Sequence, residues 1–171
     1  MTTKSFYPDF ASDGVWFDKS DPDQIGFANT MVWLGNDGYD NCSALLFRSI
    51  NIPQGATINA AKLRITAYAD DANVSANVNI FFNAADSPVL PQTYAEALAL
   101  VKTNAVEWSN IAAWTDTVVY ESPDLKGILQ EIVSRAGYVQ GGNIIVIIEN
   151  NNSDAMAVRT GFFAEIEGPR L

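Results

Sequence analysis

The fold of this chain is decided by residues 121–150, which have the sequence ESPDLKGILQEIVSRAGYVQGGNIIVIIEN. The first half predicts one amphipathic helix over about residues 122–136, with Ser122 as N-cap, Pro123 at the first helical position and Gly137 at the end. Apolar residues at helical spacing form a single stripe along it: Leu125, Ile128, Leu129, Ile132 and Val133. The second half contains a run of a different kind.

Residues 144–148 form an uninterrupted apolar run, Ile-Ile-Val-Ile-Ile, which predicts a strand that is buried on both faces. An ordinary sandwich strand faces water on one side and therefore alternates polar with apolar residues. A strand without this alternation needs a layer of protein on its outer face as well. We expect the neighbouring helix, over residues 122–136, to be that layer.

The rest of the chain consists mostly of short segments with strand patterns. Residues 61–69 and 74–82 alternate apolar and polar side chains, which predicts an antiparallel hairpin with one wet face. Residues 44–52 change phase in mid-strand, which predicts a bulge. Residues 94–101 favour a short helix. Further strand segments are predicted near residues 14–17, 31–34, 106–108, 114–120 and 158–166.

These patterns predict an all-β protein, an antiparallel β-sandwich or jelly roll of about eight strands with one amphipathic helix covering a sheet. We expect residues 1–13 to be an N-terminal arm and residues 14–171 to form a single domain.

Composition excludes several classes of function. The chain has 20 acidic and 10 basic residues, a formal charge of -10, which argues against nucleic acid and anionic membranes as partners. It has no histidine and a single cysteine, Cys42, so Ser-His-Asp and Cys-His catalysis and most zinc sites are excluded. The N-terminal sequence lacks a signal-peptide pattern, and no apolar run is long enough to span a bilayer. We therefore expect a protein made in the cytosol.

Three carboxylates, Asp18, Asp21 and Asp23, lie within six residues around Pro22 and form the candidate metal site. Calcium prefers carboxylate and carbonyl oxygens, so it is the cation that such a cluster would bind. The alternative is a solvated turn, because Asp, Ser and Pro are also typical turn residues and the glycine and distal glutamate of an EF-hand loop are absent. No other cofactor is predicted.

A candidate glycan platform is predicted on the wet face of the 61–82 hairpin. Tyr68 and Phe81 would present their rings to the apolar face of a sugar, with Arg64, Asn77 and Asn79 reading hydroxyl groups. The alternative is that residues 83–101 fold back over this face and make both rings ordinary packing. The four tryptophans, Trp16, Trp33, Trp108 and Trp114, are more typical of core or strand-end packing than of ligand platforms.

The segment from Phe47 to Leu63, FRSINIPQGATINAAKL, resembles the strand-turn-strand core of the DNRLRE-type (disaggregatase-related) β-sandwich domains. Further matches lie at residues 123–125, at residues 130–138 and at residues 169–171, so that the resemblance covers roughly residues 14–171. None of these segments is a catalytic signature. The resemblance implies a jelly-roll-like module of the kind found in bacterial surface proteins, beside polysaccharide-acting domains and in phage structural proteins.

The main functional hypothesis is a non-enzymatic structural protein of a virus particle, a phage capsid decoration (cement) or tail accessory protein. It would assemble in the host cytoplasm as a homo-oligomer, with a trimer favoured, and would stabilise the particle by binding assembled major capsid protein or other virion proteins. Phe6, Tyr7 and Phe10 are the predicted partner contacts.

The alternative hypothesis is a carbohydrate-binding module of an extracellular, cell-surface or polysaccharide-acting protein. A glycan-cleaving enzyme is not expected, because no spacing of acidic residues singles out a catalytic pair.

Overall fold

The computed structural model describes residues 4–8, 12–27, 31–71, 75–154 and 156–167, with side chains up to Gly161. Within these residues the chain forms eleven strands and two helices, α1 (Tyr94–Leu98) and α2 (Lys126–Val133). The strands are β1 (Ser5–Phe6), β2 (Gly14–Asp18), β3 (Asp21–Phe27), β4 (Met31–Gly35), β5 (Asn41–Phe47), β6 (Lys62–Ala67), β7 (Ala76–Phe82), β8 (Val106–Ile111), β9 (Val119–Glu121), β10 (Ile144–Asn150) and β11 (Val158–Glu167).

The strands form two antiparallel sheets that face each other. The six-stranded sheet has the order β3-β2-β5-β10-β7-β8, and the five-stranded sheet has the order β1-β11-β6-β9, with β4 also paired to β11. The predicted all-β antiparallel sandwich is thus confirmed. The described residues contain more strands than the predicted eight. The second helix, α1, lies within residues 94–101, where a short helix is predicted.

Strand β10 lies at the centre of the six-stranded sheet and is buried on both faces, as its sequence predicts. Ile144, Val146 and Ile148 face the five-stranded sheet in a large cluster that we call the inner core. Ile145 and Ile147 point the other way, into a second cluster that we call the outer core. The run without alternation therefore reflects two separate apolar layers, one on each side of the strand.

The layer over the outer face of β10 is not the one predicted. Residues 88–100, which we call the cover segment, supply Leu90, Tyr94, Ala97 and Leu100 to the outer core, and α1 is part of this segment. The apolar stripe of α2 belongs instead to the inner core. The expectation that residues 122–136 cover the far side of residues 144–148 is therefore wrong.

Helix α2 is also shorter than predicted, because Ser122 does not cap it. The Ser122 hydroxyl accepts the amide hydrogen bond of Leu63 at 3.0 Å and donates to the carbonyl of Pro123 at 2.8 Å. The helix begins at Lys126, whose amide donates to the Asp124 carboxylate at 3.0 Å, and ends at Val133. Gly137 lies beyond the helix.

Two further predictions about strands are wrong. β5 ends at Phe47 instead of continuing through a bulge, because Ser49 adopts a positive φ of 54° that breaks the extended conformation. Strands β6 and β7 do not form a hairpin, since β6 lies in the five-stranded sheet and β7 in the six-stranded sheet. β3 places Asp21 and Asp23, for which a solvated turn is the alternative expectation, in a strand.

The predicted N-terminal arm is partly built into the sandwich. Ser5 and Phe6 pair with β11, and Phe6 packs against the inner core. Asp13 is buried and forms an ion pair with Arg48 at 2.6 Å. Residues 5, 6 and 13 are thus continuous with the domain. No helix in the described ranges is long and apolar enough to cross a membrane.

Candidate functional site

Three aromatic residues meet at one edge of the sandwich, and we call this cluster the aromatic edge. Trp16 comes from β2 of the six-stranded sheet, Trp33 from β4 of the five-stranded sheet, and Tyr39 from the loop between β4 and β5. The ring centroid of Trp16 lies 6.2 Å from that of Trp33 and 6.0 Å from that of Tyr39. The cluster therefore joins both sheets and one loop.

Strand alternation explains how the two indoles reach this edge. Val15 and Phe17 fill the outer core, so Trp16 projects from the opposite face of β2. Val32 and Leu34 are fully buried in the inner core, and Trp33 between them remains half-buried. Gly26 of β3 is paired opposite Trp16, so β3 contributes no side chain at that position.

A chain of hydrogen bonds holds the aromatic edge in place. The Trp16 indole Nε1 donates to Oδ1 of Asn41 at 2.6 Å, and Nδ2 of Asn41 donates to Oδ1 of Asp37 at 2.8 Å. Asn41 is fully buried, so its amide is fixed by these partners. On the β4 side, the Ser43 hydroxyl accepts from the amide of Trp33 and donates to its carbonyl, each at 3.1 Å.

The aromatic edge combines exposed ring surface with polar groups. Tyr39 is 40% exposed, and Trp16 and Trp33 are each half-buried. Asp37 is partly exposed beside them. This arrangement suits a ligand that has an apolar face and hydroxyl groups around its rim.

A second concave region, which we call the polar cleft, lies on the outer face of the six-stranded sheet. It has a volume of about 600 Å³ and is lined by Lys19, Asn36, Asp40, Asn79, Glu149, Asn150, Asn151, Asn152 and Ser153. Lys19 Nζ lies 3.4 Å from a carboxylate oxygen of Asp40 and 3.7 Å from one of Glu149. Lys102 Nζ lies 2.5 Å from the other Glu149 oxygen.

The thiol of Cys42 lies beneath this cleft and is fully buried. Burial raises the pKa of the Cys42 thiol well above its ordinary value, and the nearby Glu149 carboxylate raises it further. Because the thiolate is the nucleophilic form, this thiol is a structural group.

The three carboxylates of the candidate metal site do not converge. Oδ1 of the buried Asp18 accepts hydrogen bonds from the amide and hydroxyl of Ser20 and from the amide of Asp40. Oδ1 of Asp21 accepts from the amide of Asp23. Within the described ranges, no three His, Cys, Asp or Glu side chains form a group that could hold a metal ion.

The predicted glycan platform is not assembled either. Tyr68, which is 48% exposed, and Arg64 belong to the five-stranded sheet region, where Arg64 lies 3.5 Å from Glu121. Phe81 is in β7 of the other sheet and packs into the outer core, with Lys102 Nζ 5.2 Å from its ring centroid. The cover segment does fold over Phe81, which was the alternative expectation for that ring.

The predicted partner contacts have different surroundings. Phe6 is half-buried against the inner core, Tyr7 is 53% exposed, and Phe10 lies outside the described residues.

Sequence reasoning missed the aromatic edge, although one signal for it was present. In residues 31–34 an alternating strand places Val32 and Leu34 on one face and Trp33 on the other, so Trp33 could not join them in the core. Nothing in the sequence indicated that Trp16 and Tyr39 would meet it.

No protein-family model matches the chain, and no curated protein matches it either. The DNRLRE-type resemblance therefore stays a prediction from sequence.

Among solved structures, the chain is similar to a xylan-binding module, CBM15, with a TM-score of 0.48, 11% identity and coverage of 99% of this chain and 98% of that one. It is also similar to the CBM35 of Cellvibrio japonicus Abf62, with a TM-score of 0.44, 13% identity and coverage of 98% and 94%. The CBM36-1 domain of a multidomain xylanase from a Trinervitermes trinervoides hindgut metagenome has a TM-score of 0.41, 8% identity and coverage of 99% and 100%. With TM-scores below 0.5, these likenesses say nothing about ligand or activity.

Proposed function

We propose that this chain is a non-catalytic carbohydrate-binding domain whose aromatic edge binds a saccharide. The observation that carries the proposal is the meeting of Trp16, Trp33 and Tyr39 at an open edge, braced by the buried Asn41 and by Asp37. The same geometry supports the alternative hypothesis of the sequence analysis, although on residues other than the predicted platform.

The physical chemistry of sugar recognition fits this site. A pyranose ring has C–H faces that bury apolar surface against an aromatic ring, which contributes about 25 cal/mol per Å². Its equatorial hydroxyls need both donors and acceptors at the rim, and Asp37 and the phenol of Tyr39 are such groups. Because hydrogen bonds already hold the Trp16 indole, ordering it on binding costs little entropy.

The absence of catalysis is part of the proposal. Glycoside hydrolysis uses two carboxyl groups about 5 to 10 Å apart that act as acid and base or nucleophile. Asp40 and Glu149 share the polar cleft, but each is ion-paired with lysine, which is typical of a structural network. Their role in this proposal is to shape the cleft.

A carbohydrate-binding domain acts where polysaccharide is present, at a cell surface or outside the cell. The virus-particle hypothesis, with its trimer and capsid partner, remains an expectation from sequence, because no contact among the described residues favours it over saccharide binding. Co-sedimentation with particles would revive it.

The experiment compares two exposed tyrosines on different sides of the sandwich. Binding of the purified protein to cellulose, xylan, mannan, galactan and chitin is measured by pull-down, and binding of soluble oligosaccharides from the positive polymer by calorimetry. Tyr39→Ala is expected to weaken binding about tenfold, equivalent to 1.4 kcal/mol, while Tyr68→Ala leaves it unchanged. The matched exposures of the two rings, 40% and 48%, make Tyr68 the control.

Equal effects of the two substitutions, or no binding of the parent protein to any polymer in the panel, would overturn the proposal.

A further inference from the structure

We infer that the polar cleft is a second saccharide subsite, one that takes an uncharged sugar through side-chain amides without ring stacking. This inference rests on the proposed function, because it assigns a second binding region to the same kind of ligand. It is carried by the position of the cleft, its unused amides and its balanced charge.

The cleft begins where the cover segment ends. The registers of β5, β10 and β7 place Ala44, Ile147 and Phe81 in one row on the outer face of the sheet. That row is packed under the cover segment as part of the outer core. The next outward-facing row is Cys42, Glu149 and Asn79, and the latter two line the cleft. Beyond the cover segment, Asn79 and Glu149 thus place polar side chains at the wall of the cleft, whereas Cys42 in the same row is buried.

Two amides in the cleft have hydrogen-bonding capacity that the described residues leave unused. Among the described residues, the side chain of Asn79 makes no hydrogen bond. That of Asn36 uses only its oxygen there, which accepts from the amide of Gly38. Asn150 by contrast uses both polar atoms of its side chain, since it donates to Asp40 at 3.1 Å and accepts from the amide of Ser153 at 3.1 Å. A primary amide offers both donors and an acceptor, which matches a hydroxyl group that donates and accepts.

The charges of the cleft favour a neutral ligand. Lys19 and Lys102 balance Asp40 and Glu149 through the ion pairs described above. A uronic acid would add a carboxylate to a site whose two ammonium groups already have carboxylate partners, on a chain of formal charge -10. An uncharged sugar avoids this repulsion and needs only hydrogen bonds.

The cleft is also held in its shape before a ligand arrives. The amide of Lys19 donates to the carbonyl of Asp40 at 3.0 Å, and the Tyr94 hydroxyl of the cover segment donates to the carbonyl of Lys19 at 2.8 Å. These bonds tie the β2–β3 turn to the loop before β5 and to α1. Its volume of about 600 Å³ lies within the range of about 300 to 1,000 Å³ typical of small-molecule sites.

One loop separates the cleft from the aromatic edge. Asn36 and Asp40 line the cleft, whereas Tyr39 is part of the aromatic edge and Asp37 lies beside it. The two subsites therefore flank the same loop between β4 and β5, residues 36–40, and each has its own polar groups.

The test is an amide-resolved NMR titration of the full chain with D-glucose, D-galactose, D-xylose and D-glucuronate. We expect the neutral sugars to shift resonances of Asn79 and of residues 150–153, and D-glucuronate to shift them less. Asn79→Ala should weaken the affinity at these resonances about threefold to tenfold, the value of one hydrogen bond. Asn59→Ala, which removes an exposed amide outside the cleft, should not.

The outcomes separate this inference from the proposed function. In a Trp33→Ala variant the cleft resonances should still respond to the neutral sugars. Shifts confined to the indole resonances of Trp16 and Trp33 would overturn the cleft as a subsite and leave the aromatic edge intact. A stronger response to D-glucuronate would overturn its assignment to neutral sugars, and no shift with any sugar would overturn it altogether.

Discussion

The molecule contains two clusters of two tryptophans and one tyrosine, and they serve different ends. At the aromatic edge the Trp16 and Trp33 rings are tilted by 49° and half-buried. In the other cluster, which we call the aromatic stack, Trp114 and Tyr120 are parallel within 5° at a centroid distance of 4.8 Å, and Trp108 lies 6.1 Å from Trp114. Trp114 is only 2% exposed.

The surroundings of the two clusters explain the difference. The stack packs against the inner core, and the Tyr120 hydroxyl is used internally, accepting from the amide of Thr115 at 2.8 Å. Beside it the buried Arg159 donates to the carbonyls of Ile111 and Ala112 at 2.9 and 2.8 Å. At the aromatic edge, Asp37 and Tyr39 keep polar atoms at the surface. The same residue types thus close a core in one place and form the proposed binding surface in the other.

Among substitutions that distinguish the two clusters, Trp114→Ala is expected to have the largest effect on stability. Removing this buried ring leaves a cavity in the inner core, which should lower the free energy of unfolding by about 3 to 5 kcal/mol. Urea denaturation measures the loss, and calorimetry on the folded protein should show unchanged saccharide affinity. A loss below about 1 kcal/mol, or a loss of affinity in the folded variant, would break the comparison.

A second substitution perturbs the stack by crowding it. A Cβ at Gly161 would collide with Ile65 Cγ2 and lie 2.9 Å from the carbonyl oxygen of Thr66 and 3.4 Å from Trp114 Cζ3. Gly161→Ala should therefore cost about 1 to 3 kcal/mol in urea denaturation. Gly127→Ala is the control, since nothing lies within 4 Å of its Cβ and alanine favours a helix by up to about 1 kcal/mol. Equal stabilities of the two variants would contradict the packing around the stack.

A substitution at the aromatic edge should lower saccharide affinity strongly and stability only slightly. Trp33→Ala is expected to reduce saccharide affinity about tenfold or more and to cost only about 1 kcal/mol of stability. Trp108→Ala, which removes a half-buried tryptophan from the stack, should leave affinity unchanged. Calorimetry and urea denaturation of Trp33→Ala and Trp108→Ala measure both quantities. Equal affinities of Trp33→Ala and the parent protein would refute the proposed role of the aromatic edge.

The smallest expected effect is the pH dependence contributed by Asp71, whose amide donates to the carbonyl of Trp114 at 3.1 Å. Burial raises the pKa of Asp71, although Arg159 and the amide of Thr160 act in the opposite direction. The Asp71 carboxyl therefore holds its proton more tightly in the folded state than in the unfolded state, where its pKa is near 3.8. The stabilising contribution is complete below that pKa and is lost as pH rises through the folded pKa.

Relative to Asp71→Asn, the parent protein should thus lose stability as pH rises from about 3 to 7. Urea denaturation of both proteins at a series of pH values checks the sign. Parallel stability curves, or a divergence in the opposite direction, would show that Asp71 is not held in this way.

Much of the fold was predictable because burial patterns are local. Val32 and Leu34, or Val78 and Ile80, belong to one strand each, and their spacing indicates which face is covered. The cover over Ile145 and Ile147 was not predictable in this way. Leu90, Ala97 and Leu100 show no strong stripe, whereas the helix nearest in sequence does, and that helix fills the inner core instead.

The wrong prediction of a hairpin between β6 and β7 has a related cause. An alternating strand has one buried face whether it pairs with the next strand in sequence or lies in the sheet opposite, so residues 61–69 and 74–82 were compatible with both arrangements. The misplaced glycan platform followed directly from the wrong choice, since it required Tyr68 and Phe81 to share a sheet.

The sequence by itself determined the all-β class, the antiparallel sandwich, the burial of residues 144–148 on both faces and most strand positions, because side-chain periodicity is a property of a few consecutive residues. Only the tertiary structure decided that Trp16, Trp33 and Tyr39 meet, that Asn79 and Glu149 line an open cleft, and that Trp114 is closed off. Those neighbours depend on the order of strands in two sheets and on what lies over each face, which no local pattern encodes.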